Sequence, residues 1–373
     1  MRTAFSFSLS ARDGAARTGR LTTPHGVVET PAFMPVATYG AVRGVAPAEL
    51  AEAGAQIVLA NTYHLHERPG DEVVEQLGGL HGFTGWRGPW LTDSGGYQVM
   101  SLSDRARIDE DGVTFASALD GRQRRLTPET AMQVQQRLGA DIAMALDECP
   151  ARETLGEAPS LRVQLAAERT LRWAERCRRA HTRPDQALFG IVQGGSSDAL
   201  RRSSAARTAA IGFDGYAHGG LGLGEESARR ADLVSAAHGE LPSAAPRYLM
   251  GIGRPEDLVS AIDAGVDLFD CVLPTRHARH GVLYTSEGPL HLRNARFRAD
   301  PAPLDPACAC PACRLHSRAY LHHLLRGSEA LGARLASLHN LRFYLRLLAE
   351  ARRAIADGTF AALRARTEAL ASR

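Results

Sequence analysis

Trp90-Leu91-Thr92-Asp93-Ser94-Gly95-Gly96-Tyr97 joins a short apolar run to a carboxylate and then to glycines that open a helix-like stretch. The unit recurs along the chain. Further short runs lie at Ala32–Val36, Gln56–Ala60, Ile142–Leu146, Leu188–Val192, Gly215–Ala217, Tyr248–Ile252 and Asp267–Phe269, and most end in a glycine or polar cluster. Between them, segments such as Pro128–Leu138 and Leu161–Arg179 space their apolar residues at helical intervals. Runs too short for helices, alternating with helical spacing, predict parallel strands with helical crossovers. Strands covered on both faces are apolar throughout, so this alternation predicts an α/β chain closed into a (β/α)8 barrel. An open doubly wound sheet is the competing architecture. The barrel is favoured because every unusual polar motif falls at the C-terminal end of a run, where the loops of a barrel meet in one mouth.

Composition narrows the class without naming it. At 44% hydrophobic and 23% charged residues, the 373-residue chain fits a soluble globular protein and not a disordered segment, and its length suits one large α/β domain with an appendage or two ordinary domains. Met1–Arg20 offers no apolar core for a signal peptide, and no run is long enough to span a bilayer, so a cytoplasmic location with no membrane partner is expected. There the six cysteines should be reduced, and clustering among them reads as metal ligation. The net charge of +3 neither demands nor forbids a polyanionic partner. All of the basic side chains are arginine, which suits bidentate phosphate contacts.

The last third departs from the alternation. A proline- and cysteine-rich stretch follows Pro301, and a helical region from His316 to about Ala356 comes after it. The expected organisation is a catalytic barrel over 1–299, a zinc-binding unit over 300–340 inserted after the eighth strand, and C-terminal helices over 341–373 packing back on the barrel. Cys308, Cys310 and Cys313 form Cys-x-Cys-x-x-Cys, and three thiols within one turn of chain can converge on one ion. His316, His322, His323 and His339 are the candidates for a fourth ligand, and spacing alone does not separate them. A filled four-ligand site makes the zinc structural.

Three aspartates stand at run ends: Asp93, Asp147 in Ala145-Leu146-Asp147-Glu148-Cys149, and Asp270 in Phe269-Asp270-Cys271-Val272-Leu273-Pro274. One such aspartate is commonly a cap or turn residue; three facing one mouth suit glycosidic chemistry, in which one carboxylate traps the sugar carbon and another group handles the proton. Gln193 and the glycine-rich Gly219-Gly220-Leu221-Gly222-Leu223-Gly224-Glu225 lie near them. The latter fails as a dinucleotide fingerprint because Glu225 stands where a third glycine is needed. It reads better as backbone exposed to a flat heterocycle, with Tyr97 and Met250 as candidates to sandwich the ring.

These motifs together, with Gly190-Ile191-Val192-Gln193-Gly194-Gly195 and Arg247-Tyr248-Leu249-Met250-Gly251, resemble bacterial tRNA-guanine transglycosylases, also called queuine tRNA-ribosyltransferases. The resemblance implies a pentosyltransferase that exchanges the wobble guanine of tRNAs with GUN anticodons, those for aspartate, asparagine, histidine and tyrosine, in queuosine biosynthesis. It implies Asp270 as nucleophile on C1′, Asp93 as general acid/base, and a purine edge read by Asp147, Gln193 and the backbone of Gly220 and Leu221. Ser94, Gly95, Gly96, Cys149, Gly219 and Leu223 complete the implied base pocket, with Tyr97 and Met250 on the ring faces. Arg254, Thr275, Arg276, His277, Ala278 and Arg279 are implied to hold the anticodon stem-loop, His339 to be the fourth zinc ligand, and the enzyme to be a homodimer.

Two positions depart from the family pattern, His218 and Gly222. His218 is expected to be a satisfied interior histidine and not a catalyst. Leu223, a branched residue where queuine-using relatives carry glycine, implies the smaller 7-aminomethyl-7-deazaguanine as incoming base. Two readings from other classes compete: a silent RNA-binding paralogue, opposed by the joint presence of Asp93 and Asp270, and a metal-dependent hydrolase, which would place an ion on the mouth carboxylates.

Overall fold

The structure, a computed structural model, describes residues 5–102, 106–150 and 159–371. Its centre is a closed barrel of eight parallel strands in chain order: Ala32–Ala37, Val58–Ala60, Trp90–Thr92, Ile142–Met144, Ala187–Val192, Gly215–His218, Arg247–Leu249 and Leu268–Cys271. Closure is made by the eighth strand pairing with the first, Leu268 opposite Ala32 through Cys271 opposite Pro35. Asp270 therefore lies inside a strand, one position deeper than the apolar run suggested, because its backbone completes the barrel.

Alternation along the strands sorts the side chains. Leu59, Leu91, Ile191, Tyr248 and Leu268 share the barrel interior with Met34 and Met144. Their strand neighbours Val58, Trp90, Leu188 and Phe269 pack outward under helices. A strand repeats every second residue, so the next inward positions after Leu91, Ile191, Tyr248 and Leu268 are Asp93, Gln193, Met250 and Asp270. The polar groups of the mouth are thus the continuation of the core stripe at the point where the barrel opens.

The crossovers form for local reasons. Pro128–Leu138 begins with Pro at its first turn behind Thr127, whose side chain accepts from the Thr130 amide, and ends at Gly139 in the left-handed conformation. Leu161–Ala180 is capped by Ser160 and Asp198–Ile211 by Ser197. The region after the eighth strand comprises Leu273–Arg279, a hairpin of Val282–Thr285 with Gly288–His291, and the helices Pro311–Leu315, Arg318–Arg326, Ala330–Ala356 and Phe360–Ala371. The helical stretch expected from His316 is broken at Gly327-Ser328, where Ser328 has φ 58°. Helix Ala330–Ala356 runs across residue 340: its first half closes over the cysteine loop, and Tyr344, Leu348 and Ile355 pack on Phe33 and Phe269 of the barrel.

An antiparallel sheet of Ser6–Asp13, Ala16–Thr23 and Gly26–Thr30 closes the other end of the barrel through Leu21 and Val28. It is locked by Arg17, fully buried, which pairs with buried Asp267 through Nε at 3.0 Å and donates to the carbonyls of Ser243 and Ala245 at 2.8 Å. Removing one partner of such a pair strands the other charge, so Arg17→Met is expected to cost about 3 to 5 kcal/mol in guanidinium unfolding. A loss below about 1 kcal/mol, the range of a solvated pair, would contradict this reading.

Candidate active site

The loops at the C-terminal ends of the strands surround a cavity of about 490 Å³ lined by Asp93, Ser94, Tyr97, Asp147, Cys149, Gly219, Gly220, Leu221, Leu223, Met250 and Asp270. All three expected aspartates thus border one space. A larger cavity of about 630 Å³ lies between the hairpin and the C-terminal helices, lined by Tyr284, Phe343 and Leu347. None of the three aspartates borders it, so the smaller cavity is the one with the chemistry.

Asp93 is buried and accepts four hydrogen bonds. Oδ1 takes the amides of Thr62 at 2.8 Å and Gly95 at 3.2 Å, while Oδ2 takes the side-chain amides of Asn61 and, at 2.8 Å, Gln98. Burial raises its pKa to about 6; the donors pull it down and the charge of Asp270 adds to the rise. A carboxyl in that range can hold or take a proton near neutral pH. Gly95 reaches its bond with a φ of 78°, and its missing Cβ leaves room for the Tyr63 backbone.

Asp270 is held differently. Tyr248 donates its hydroxyl at 2.5 Å and Gly251 its amide at 2.7 Å, both to Oδ1. Oδ2 is left without a protein donor among the described residues. Burial raises the carboxyl above its ordinary value, against the lowering effect of the two donors.

Asp147 and Gln193 form a third unit. Gln193 donates its amide to Asp147 Oδ2 at 2.7 Å, and Ser94 Oγ lies 3.5 Å from Oδ1. Burial lifts Asp147 to about 6, and Asp93 contributes to the lift. The Gln193 side chain lies on Gly219 and Gly220, where any Cβ would come within 2.5 Å of it. Glycine is therefore required there by close approach as well as by the φ of 67° at Gly220. Burial raises the Cys149 thiol to about 12, which makes it a neutral wall and not a nucleophile. Leu223 is half-buried at the cavity edge, and Tyr97, 53% exposed, stands at its rim.

Asn61, Gln98, Tyr248 and His64 also belong to this site, and the sequence reading had not assigned them. Tyr248 was within reach, because it precedes Met250 by one strand period. His218 points outward from its strand and sits 2.9 Å from His238, Nε2 to Nε2, while His238 Nδ1 donates to the Ala264 carbonyl. His218 is interior, as expected, but hydrogen-bonded at Nε2 alone: its buried Nδ1 has no partner among the described residues, so it is not the fully satisfied group expected.

The expected RNA-facing segment is helix Leu273–Arg279, immediately past Asp270. Arg276 and Arg254 are exposed, and Arg279 and His277 half-buried. His277 Nδ1 lies 2.8 Å from the Tyr284 hydroxyl. Ala278 is fully buried and Thr275 nearly so, so their side chains pack inward where the helix seats itself.

Cys308, Cys310, Cys313 and His339 are all buried, and their donor atoms lie within 4.8 Å of one another. His339 Nδ1 is 3.2 Å from Cys313 Sγ and 3.6 Å from Cys310 Sγ. Its Nε2 lies 2.8 Å from the Tyr284 carbonyl, which only accepts, so the proton sits on Nε2 and the Nδ1 lone pair faces the thiols. Four buried donors at ligand spacing, with the histidine tautomer fixed from outside, can hold a metal ion, and three thiolates with one imidazole are a donor set that fits zinc. His316, His322 and His323 stand outside the group.

Known proteins place this geometry. The family model described as queuine tRNA-ribosyltransferase matches residues 13–372. A queuine tRNA-ribosyltransferase of Thermus thermophilus is 55% identical over 356 residues, covering 95% of this chain and 91% of the relative. One of Sorangium cellulosum is 56% identical over 359 residues, 96% and 90% of the two chains. One of Solidesulfovibrio magneticus is 52% identical over 367 residues, 98% and 97%. With the match running through the barrel, the acid-lined mouth and the Cys3His cluster alike, the chain belongs to the queuine tRNA-ribosyltransferase family, the tRNA-guanine transglycosylases, and is a pentosyltransferase.

Proposed function

We propose that this enzyme exchanges the wobble guanine of tRNAs with GUN anticodons for 7-aminomethyl-7-deazaguanine by double displacement, with Asp270 as the nucleophile. The observation that carries the reading is the contrast between two acids in one cavity: Asp270 with an unshared Oδ2, and Asp93 with both oxygens engaged and a pKa near neutrality. One is built to attack and the other to pass a proton. Asp270 Oδ2 bonds to C1′ as the C1′–N9 bond breaks and guanine leaves with a proton from Asp93. The incoming base then gives its ring proton to Asp93 and attacks the same carbon, so configuration is retained.

Asp147 and Gln193 read the purine edge together with the backbone of Gly220 and Leu221; Tyr97 and Met250 hold its faces. Ser94, Gly95, Gly96, Cys149 and Gly219 shape the pocket. Arg254, Arg276 and Arg279 hold the phosphates of an unstacked anticodon loop, with His277 beside them. Zinc on Cys308, Cys310, Cys313 and His339 is structural, and two chains associate with the zinc region near their interface. No helix among the described residues is long and apolar enough to cross a membrane, and the reaction belongs in the cytoplasm, where tRNA is processed.

The proton role of Asp93 sets the pH profile. Its pKa is raised to about 6 chiefly by burial, so below that pH it is protonated and unable to accept the proton of the incoming base. Above it Asp93 is ionised and cannot deliver the proton that departing guanine takes, so incorporation is expected to be bell-shaped, highest near the transition and falling by up to roughly tenfold per pH unit on either side. A flat profile from pH 5 to 8 would contradict the assignment.

Leu223 at the cavity edge sets the choice of base. Comparing incorporation of 7-aminomethyl-7-deazaguanine and queuine into a stem-loop transcript tests the whole reading. The expected result is preference for the former, relaxed in Leu223→Gly; preferential use of queuine by the unmodified enzyme would overturn it.

A further inference from the structure

Arg201 is a buried charge beside the site that the scheme above leaves unused. It lies in the first turn of helix Asp198–Ile211 and is fully buried. Nε donates to the Gly195 carbonyl at 2.7 Å and Nη2 to the Gly219 carbonyl at 3.0 Å. One guanidinium thus holds the loop after Gln193 and the loop that presents Gly220. The fit is tight: a Cβ on Gly194 would stand 2.9 Å from Arg201 Cγ.

Neutral scaffolding would have sufficed for two carbonyls, yet the group is a cation with little compensation. Nη1 is buried and has no hydrogen-bond partner among the described residues. Glu225 and Asp198, the acids that act on it at longer range, are paired with Arg230 and Arg229. A dry charge without a counter-ion is costly, and folds keep one where the charge is used.

The Gly219 carbonyl and the Gly220 N–H belong to one peptide group. A cation on the carbonyl draws electron density through the amide and makes that N–H a stronger donor. When Asp270 Oδ2 bonds to C1′, the C1′–N9 bond breaks and its electron pair stays on the purine, spreading toward the edge that Gly220 and Gln193 read. The purine anion then takes a proton from Asp93, which the incoming base later returns. We infer that Arg201 is a positioning residue that, through the Gly219–Gly220 peptide, stabilises the negative charge collecting on the departing base. This rests on the reaction proposed above.

The test compares the full-length enzyme with Arg201→Met and Arg201→Lys in exchange of labelled guanine into an anticodon stem-loop. Removal of a direct oxyanion donor costs about a hundredfold or more in kcat, and this indirect one is expected to cost Arg201→Met about tenfold or more, with KM for RNA little changed. Arg201→Lys, which keeps the charge, is expected to recover part of the loss. The discriminating arm uses a stem-loop with 8-azaguanine at the wobble position, a base that leaves as a more stable anion: the Arg201→Met defect should shrink there. If Arg201→Met does not fold, the same comparison of leaving bases in Arg201→Lys decides. An equal defect on both leaving bases, or a kcat unchanged from wild type, would overturn the inference and leave the exchange reaction standing. Failure of the wild type itself to exchange guanine would instead remove the reaction, and the inference with it.

Discussion

Asp270→Asn is expected to lower guanine exchange by on the order of 10³ to 10⁶, measured as steady-state incorporation of labelled base into a stem-loop, while thermal unfolding stays within a few degrees of wild type. The argument is local. The asparagine carbonyl still accepts from Tyr248 and Gly251, which bond only Oδ1, so the strand end keeps its geometry. What disappears is the second oxygen, replaced by an amide nitrogen that has no nucleophilic lone pair. Activity within tenfold of wild type would show that no bond from residue 270 is needed.

Metal removal is expected to have the second large effect, on stability and RNA binding more than on the barrel. Structural zinc contributes about 10 to 16 kcal/mol in small units, comparable with the roughly 5 to 15 kcal/mol of a whole domain. In this chain the cysteines belong to the same cluster as Ala278, Leu283, Leu292, Leu321 and Leu335, so loss of an ion held there would expose a core. The disturbance has a defined path outward. His339 holds the Tyr284 carbonyl, and its neighbour Asn340 accepts from the Tyr284 amide and donates to the carbonyls of Pro274 and Val282. Pro274 lies on the helix that carries Arg276 and Arg279. Chelation, or Cys313→Ser, should therefore produce an early unfolding transition and raise KM for RNA well before the base pocket fails. A chelated protein of verified low metal content that melts and binds RNA like the untreated one would contradict the structural role.

The parts of this architecture that were legible in the sequence are those set by burial. Barrel strands read as short apolar runs because both faces are covered, and Asp93, Asp147 and Asp270 stood out because, although one strand-end aspartate is commonly a cap or turn residue, three of them fall where the loops of a barrel meet. The N-terminal sheet was not legible: Ser6–Asp13 alternates exposed and half-buried positions and carries serines where an apolar run would announce a strand. Nor were the groups that hold the acids. Asn61, Gln98 and Arg201 gain meaning only from neighbours more than a turn away in sequence or on other loops, and a lone amide or arginine in a helical stretch looks like solvated surface.

The account stands on a bond between Asp270 and the ribose of residue 34. Mixing the full-length enzyme with an anticodon stem-loop, denaturing, and measuring intact mass reads that bond directly. The expected species is protein plus stem-loop less one guanine, discharged by added 7-aminomethyl-7-deazaguanine and absent with Asp270→Asn. An adduct of equal yield from the Asp270→Asn protein would contradict the account.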